Sequence, residues 1–130
     1  VTWTSEGGLA GCFIGFRSEE DIVDGAQYRF YMMRLQNAPM WDMEYWKNDA
    51  WQVTLTGDVK FSGSMDDSND GHNTITLVVN GNDIIPYING DKQFQVNTQK
   101  LSDGIISLGV FQNSGETTCT YTDTWLWVLE

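Results

Sequence analysis

The chain has 130 residues, 41% of them hydrophobic and 13% aromatic with six Trp, which suits a single compact domain spanning 1–130 with a real core and argues against extensive disorder. Eighteen acidic residues against seven basic give a net charge of −11. Such a charge repels phosphate backbones and anionic membrane surfaces, so nucleic acid is disfavoured as a partner and neutral molecules and cations are favoured. No apolar run approaches the roughly 18 residues that a membrane-spanning helix needs. Val1 is not an initiator Met and no signal peptide is visible, so the chain is expected to be a mature or excised piece of something longer, joined to flanking domains.

The first strand predicted in chain order covers residues 9–17, LAGCFIGFR, with Gly11 and Gly15 where side chains are crowded out. Residues 18–26, SEEDIVDGA, form an acidic loop; Ser18-x-x-Asp21 has the form of a helix cap, but Gly25 and the short length argue against a helix. Residues 28–35, YRFYMMRL, are apolar on both sides, as in a strand covered on both faces or lying at a binding surface. Gln36-Asn37-Ala38-Pro39 breaks the pattern. Residues 40–46, MWDMEYW, and 51–56, WQVTLT, then flank the turn Lys47-Asn48-Asp49-Ala50.

A short strand is predicted at 59–61, followed by the polar, acidic loop 62–71, SGSMDDSNDG. The strongest local signal comes next. Residues 73–80 alternate, with Ile75, Leu77 and Val79 on one side and Thr74, Thr76 and Val78 on the other; Asn80-Gly81-Asn82 turns the chain into 83–88, and Asn89-Gly90-Asp91 turns it again. Residues 93–96 read as a brief edge strand, 105–112 (IISLGVFQ) as a full one, and 118–130 (TCTYTDTWLWVLE) as a long last strand. Trp125 and Trp127 fall on one side of it and Leu126 and Val128 on the other, so one pair must face outward unless both faces are covered. About nine or ten strands with turn signals every 8–12 residues and no helix predict an all-β, two-sheet antiparallel sandwich. No internal repeat or linker divides the chain.

These elements resemble the concanavalin A-like lectin/glucanase superfamily, and within it laminin-G-like jelly rolls and the domain of 3-keto-disaccharide-hydrolase type. The residues that carry the likeness are Phe16-Arg17, Tyr28-Arg29-Phe30, the hairpin with Tyr87-Ile88-Asn89-Gly90, the run Leu101-Ser102-Asp103-Gly104-Ile105-Ile106-Ser107-Leu108-Gly109 and Tyr121-Thr122-Asp123. The order and spacing agree over most of the chain, although the motifs mostly encode turns and core. The resemblance implies a jelly roll with one concave sheet, ligands bound at the concave face or rim loops, and a leading strand either missing or supplied by flanking sequence.

In this superfamily β-glucanases place three carboxylates on one strand as Glu-x-Asp-x-Glu, which alternation turns to one side. Here Asp42 and Glu44 match the last two places, and Met40 stands where the first carboxylate belongs. A thioether neither attacks a sugar nor carries a proton, so no catalytic residue is assigned. Asp42, Glu44 and Trp46 share one face; Trp41, Met43 and Tyr45 share the other. An exposed Trp beside carboxylates suits a sugar, whose ring stacks on the indole while its hydroxyls donate to the acids. Asp42, Glu44, Trp46 and Trp51, with Arg34 and Arg17, are therefore the candidate ligand-binding residues. As polar residues of an amphipathic strand, Asp42 and Glu44 also have a purely structural reading.

Asp66, Asp67, Asn69 and Asp70 gather oxygen ligands in one loop, and calcium, which superfamily members often carry, is the expected cofactor; a solvated acidic turn is the alternative. Glu19, Glu20, Asp21 and Asp24 form a second acidic loop of the same kind. His72 is the one histidine, which provides neither a usual zinc site nor a triad. Cys12 and Cys119 form either one disulfide, closing a loop of roughly 100 residues and adding about 3–5 kcal/mol, or two separate buried thiols. The function expected is a non-catalytic carbohydrate-binding module, extracellular or at the cell surface. A glycoside hydrolase and a structural or protein-interaction domain stand as alternatives.

Overall fold

The computed structural model describes residues 1–6, 8–113 and 115–128. Among them are thirteen strands and no helix: β1 Thr2–Ser5, β2 Ala10–Ser18, β3 Gln27–Leu35, β4 Ala38–Lys47, β5 Ala50–Thr54, β6 Lys60–Phe61, β7 Gly71–His72, β8 Ile75–Asn80, β9 Asp83–Ile88, β10 Asp91–Lys92, β11 Val96–Asn97, β12 Ile105–Gln112 and β13 Thr117–Thr120. Every ladder is antiparallel. A six-stranded sheet runs β12-β2-β3-β4-β5, with β6 on the same strand β4 that carries β5. A four-stranded sheet centres on β9, and a three-stranded sheet runs β13-β1-β7.

The turns follow from local chemistry. Leu35 pairs with Ala38, Lys47 with Ala50 and Ile88 with Asp91, each across two residues. Gln36-Asn37, Asn48-Asp49 and Asn89-Gly90 all have positive φ, the primed geometry that matches strand twist and that Asn and Gly accept most readily. Gln36-Asn37 therefore turns β3 into β4, and Pro39 opens β4 where the sequence pattern predicts a break.

The six-stranded sheet turns Cys12, Phe16, Tyr28, Phe30, Met32, Trp41 and Met43 inward; the two smaller sheets answer with Trp3, Ile84, Ile88 and Val96, and Met65 joins from a loop. The result is a sandwich in which the three- and four-stranded sheets make up one layer. Buried Asn73 stitches that layer: its Nδ2 donates to the Asp66 carbonyl, and its Oδ1 accepts from Asp66 N–H and from Asn89 Nδ2. Cys12 on β2 and Cys119 on β13 are joined by a disulfide, with Cα atoms 5.8 Å apart. It ties the six-stranded sheet to the outer strand of the three-stranded one.

Two elements depart from the sequence reading. β1 is present within the chain, only four residues long, and gains its partners from β13 and β7, far away in sequence. The last strand ends at Thr120, and Trp125–Val128 pairs with nothing in the ladders, so both its Trp pair and its aliphatic pair face outward. Leu129 and Glu130, which the predicted strand included, lie outside the described residues.

A candidate ligand-binding groove on the outer face of the six-stranded sheet

Alternation and register together build the outer face of this sheet. Residues opposite one another in a ladder share a face. Ser107, Gly15, Arg29, Glu44 and Thr54 therefore form one row across β12-β2-β3-β4-β5, and Gly109, Phe13, Tyr31 and Asp42 form the next. Phe111, Gly11, Met33 and Met40 make a third row, and Gln27, Trp46 and Trp51 extend the face towards the β4–β5 turn. The glycines have a packing reason. A Cβ on Gly109 would enter the Phe13 ring, and one on Gly15 would meet the Ser107 hydroxyl.

These rows line a groove of about 390 Å³. One end is apolar, with Phe13, Tyr31, Met33 and Phe111; the rings of Phe13 and Phe111 pack against Tyr31 with centroids 5.4 and 5.1 Å away. The other end holds Arg29, Glu44 and Trp46.

The Arg29 guanidinium lies 4.2 Å from the Trp46 ring centroid and 5.2 Å from that of Phe13. Its Nε donates to Gln27 Oε1 at 2.9 Å, which aims the fork into the groove. The two Nη atoms are held loosely, at 3.4 Å from the Tyr31 hydroxyl and 3.8 Å from Asp49 Oδ1, and the side chain is 12% exposed. Both retain donor capacity for a bound acceptor. Trp46 Nε1 donates to Glu44 Oε2 at 2.6 Å. Burial pushes the Glu44 carboxyl up to about 7, with the nearby Asp42 carboxylate adding to the rise and Trp46 and Arg29 opposing it. Burial likewise raises the Tyr31 phenol to about 12, so it stays a neutral hydroxyl. The acidic loop before β3 is tied to residues next to the polar end: Gln27 Nε2 donates to the Ile22 carbonyl, and Asn48 N–H to that of Asp24. Asp21 caps two backbone N–H groups of this loop, those of Val23 and Asp24, and no helix forms.

Of the residues singled out from sequence, Glu44 and Trp46 line the groove. Trp51 stands opposite Trp46 on β5 and is 54% exposed, beside the groove rather than in it. Asp42 points to the same face but is 1% exposed, and its oxygens are already engaged: Oδ1 accepts from Met43 N–H at 2.7 Å and lies 2.8 Å from the Thr56 hydroxyl, and Oδ2 accepts from the Thr54 hydroxyl at 3.2 Å. Its carboxylate is therefore engaged by the chain itself and supports the sheet.

Arg34 and Arg17 lie away from the groove. Arg34 falls on the core-facing side of β3, over the Trp3 ring, and its Nη2 donates to the Asp67 carbonyl and Asn69 Oδ1. Arg17 donates to the carbonyls of Leu101 and Gly81, tying β2 to loops of the other layer. Asp66 Oδ1 accepts from the Ser68 N–H and hydroxyl, and Asp70 Oδ1 from the Thr4 hydroxyl at 2.7 Å. The acidic loop is thus closed by donors of the chain itself. Among the described residues, no three His, Cys, Asp or Glu side chains gather as metal ligands.

Sequence reasoning did not identify Arg29, Gln27, Phe13, Tyr31 or Phe111 as groove residues. The available signal was that residues 28–35 carry apolar side chains on both sides, with Arg29 among them. Which side is ligand-facing depends on the second layer.

No protein-family model and no curated protein sequence matches this chain. Among solved structures it is similar to sheep galectin-11 in complex with glycerol, at 12% sequence identity and a TM-score of 0.60, over 88% of this chain and 81% of that one. The fold is accordingly the galectin-type, concanavalin A-like jelly roll.

Proposed function

We propose that this chain is a non-catalytic carbohydrate-binding module that takes a neutral sugar into the groove on the outer face of the six-stranded sheet. The observation that carries the reading is the meeting of aromatic surface with a loosely held guanidinium and a carboxyl group in one groove. A sugar has the same two-sided chemistry: its C–H faces pack on Phe13, Tyr31 and Trp46, while its hydroxyls accept from the Arg29 Nη atoms and donate to Glu44. The structural likeness to a galectin in complex with glycerol, a small polyol, supports the same reading. The disulfide favours an oxidising, extracellular or cell-surface setting. The order of turn motifs supports a finer kinship with laminin-G-like and 3-keto-disaccharide-hydrolase-type domains.

Titration calorimetry against neutral plant and bacterial oligosaccharides tests the reading. Arg29→Ala and Trp46→Ala should each weaken binding by about tenfold or more, as hot-spot residues do. Arg17→Ala should leave it unchanged. Silence of the wild-type chain across all neutral glycans would reject it. A glycoside hydrolase is favoured by one observation, the raised Glu44 carboxyl, which suits a general acid. Its natural second carboxylate, Asp42, is sealed beneath Thr54 and Thr56. Turnover of a bound oligosaccharide that disappears in Glu44→Gln would establish the enzyme reading.

A further inference from the structure

The sandwich leaves one side open. β12 is an edge strand, paired with β2 alone among the described residues. Ile105, Ile106, Leu108 and Val110 along it are 43–47% exposed. The last segment of the chain leaves the body at the same place: Tyr121, one residue beyond β13, places its hydroxyl 2.7 Å from the Gly109 carbonyl of β12 and 2.9 Å from that of Phe13. Beyond it, Trp125, Leu126, Trp127 and Val128 are 71–83% exposed, with the two indoles stacked at 6.5 Å.

Single apolar residues at a surface need no explanation, but two exposed apolar runs on one molecule do. Edge strands are ordinarily protected by Lys, Pro or inward-pointing charges. Residues 105–112 contain none of these, and the one register irregularity lies at its start, between Ile105 and Ser107.

We propose that these two surfaces are halves of one interface: the Trp125–Val128 segment of each copy lies along the β12 edge of a second copy, in a reciprocal two-fold dimer. Three observations favour a second copy of this chain as the occupant. The surfaces are complementary in kind, an open strand edge and an unpaired segment with apolar side chains, and both are on one molecule. A two-fold operation therefore satisfies both at once and closes the assembly. The charge distribution allows the approach: the chain carries −11, yet neither 105–112 nor 124–128 contains a charged residue, so two copies meet where repulsion is least. The area also suffices. Two Trp side chains of about 150–250 Å² each, with Leu126, Val128 and the β12 row, approach the roughly 800 Å² per partner of a standard interface. Val110 lines the apolar end of the groove as well as the β12 edge, whereas Arg29, Glu44 and Trp46 lie on β3 and β4; the inference does not rest on the sugar-binding reading.

Sedimentation velocity of the whole chain, from about 1 to 200 µM at physiological salt, tests it. The expected result is a sedimentation coefficient that rises with concentration towards that of a dimer. Trp125→Ser combined with Trp127→Ser should weaken association by about tenfold or more, and Leu108→Lys on the edge strand should do the same. Both variants should keep the monomer's cooperative thermal transition, which separates a lost interface from a lost fold. A wild-type chain that remains monomeric at the highest concentration overturns the proposal. So does a dimer that neither variant weakens. Blue-shifted, quencher-protected Trp emission in the dilute monomer, lost in the tail variant, also overturns it, because the segment would then cover the edge of its own chain.

Discussion

At the scale of single residues, Asp42 and Glu44 show how two acids on one strand, two positions apart, acquire opposite roles. Asp42 accepts from Met43 N–H and the Thr54 and Thr56 hydroxyls. Removing it strands buried donors, so Asp42→Ala should cost about 2–4 kcal/mol in a urea denaturation series and act on binding only through the fold. Glu44 opens on the groove, and its carboxyl is raised to about 7, against 4.5 for a free side chain. An acid with a raised folded-state pKa binds its proton more tightly when folded. Its contribution to stability is therefore present at low pH and is lost as pH climbs from about 4.5 through about 7. Melting temperatures measured across this window should fall with pH in the wild type and fall less in Glu44→Gln. An identical slope in both would show that another group carries the effect. The alternation of residues 40–46 placed Asp42 and Glu44 on one face correctly. It could not tell them apart, because the hydroxyls that seal Asp42 arrive from the β5 end and the turn after it.

At the scale of elements, hairpin chemistry was legible and strand partnership was not. The two-residue turns at Asn48-Asp49 and Asn89-Gly90 follow from residue types that accept positive φ. β1 is a strand because β13 and β7 flank it, a fact that four residues of sequence do not contain. The same dependence explains the arginines. Arg29 and Arg34 lie five positions apart on β3, and therefore on opposite faces, so one enters the groove and the other the layer boundary. The Cys12–Cys119 disulfide spans a sequence separation of 107 and links β2 to β13. Replacing both cysteines by Ala should lower stability by about 3–5 kcal/mol, read from the denaturant midpoint under non-reducing conditions. The loss should appear as earlier melting with the β-rich far-ultraviolet spectrum kept, since the ladders themselves remain.

At the scale of the whole molecule, charge sets the terms. A net charge of −11 on 130 residues repels itself in the compact state. Raising salt from a few millimolar to physiological strength shortens the screening length to about 8 Å and should raise the melting temperature by a few degrees. A fall would mean that attractive pairs dominate, although the described ion pairs amount to Arg29 with Asp49 at 3.8 Å. The same acidity opposes anions near Arg29, because the loop of Glu19, Glu20, Asp21 and Asp24 is tied to Gln27, which holds the Arg29 Nε.

The amino-acid order by itself determined the fold class, since two-residue alternation between turn-forming Asn and Gly leaves little besides stacked antiparallel sheets. It also determined that Glu44 and Trp46 share a face. Only the tertiary structure decided which outer row is a groove and which acid is sealed within the sheet. It likewise decided that Arg29, rather than Arg17 or Arg34, meets the indole of Trp46, and that the last Trp pair stays uncovered. The physical reason is that alternation assigns a side chain to one of two faces by local geometry. Whether that face becomes core, groove or open edge depends on strands arriving from elsewhere in the chain.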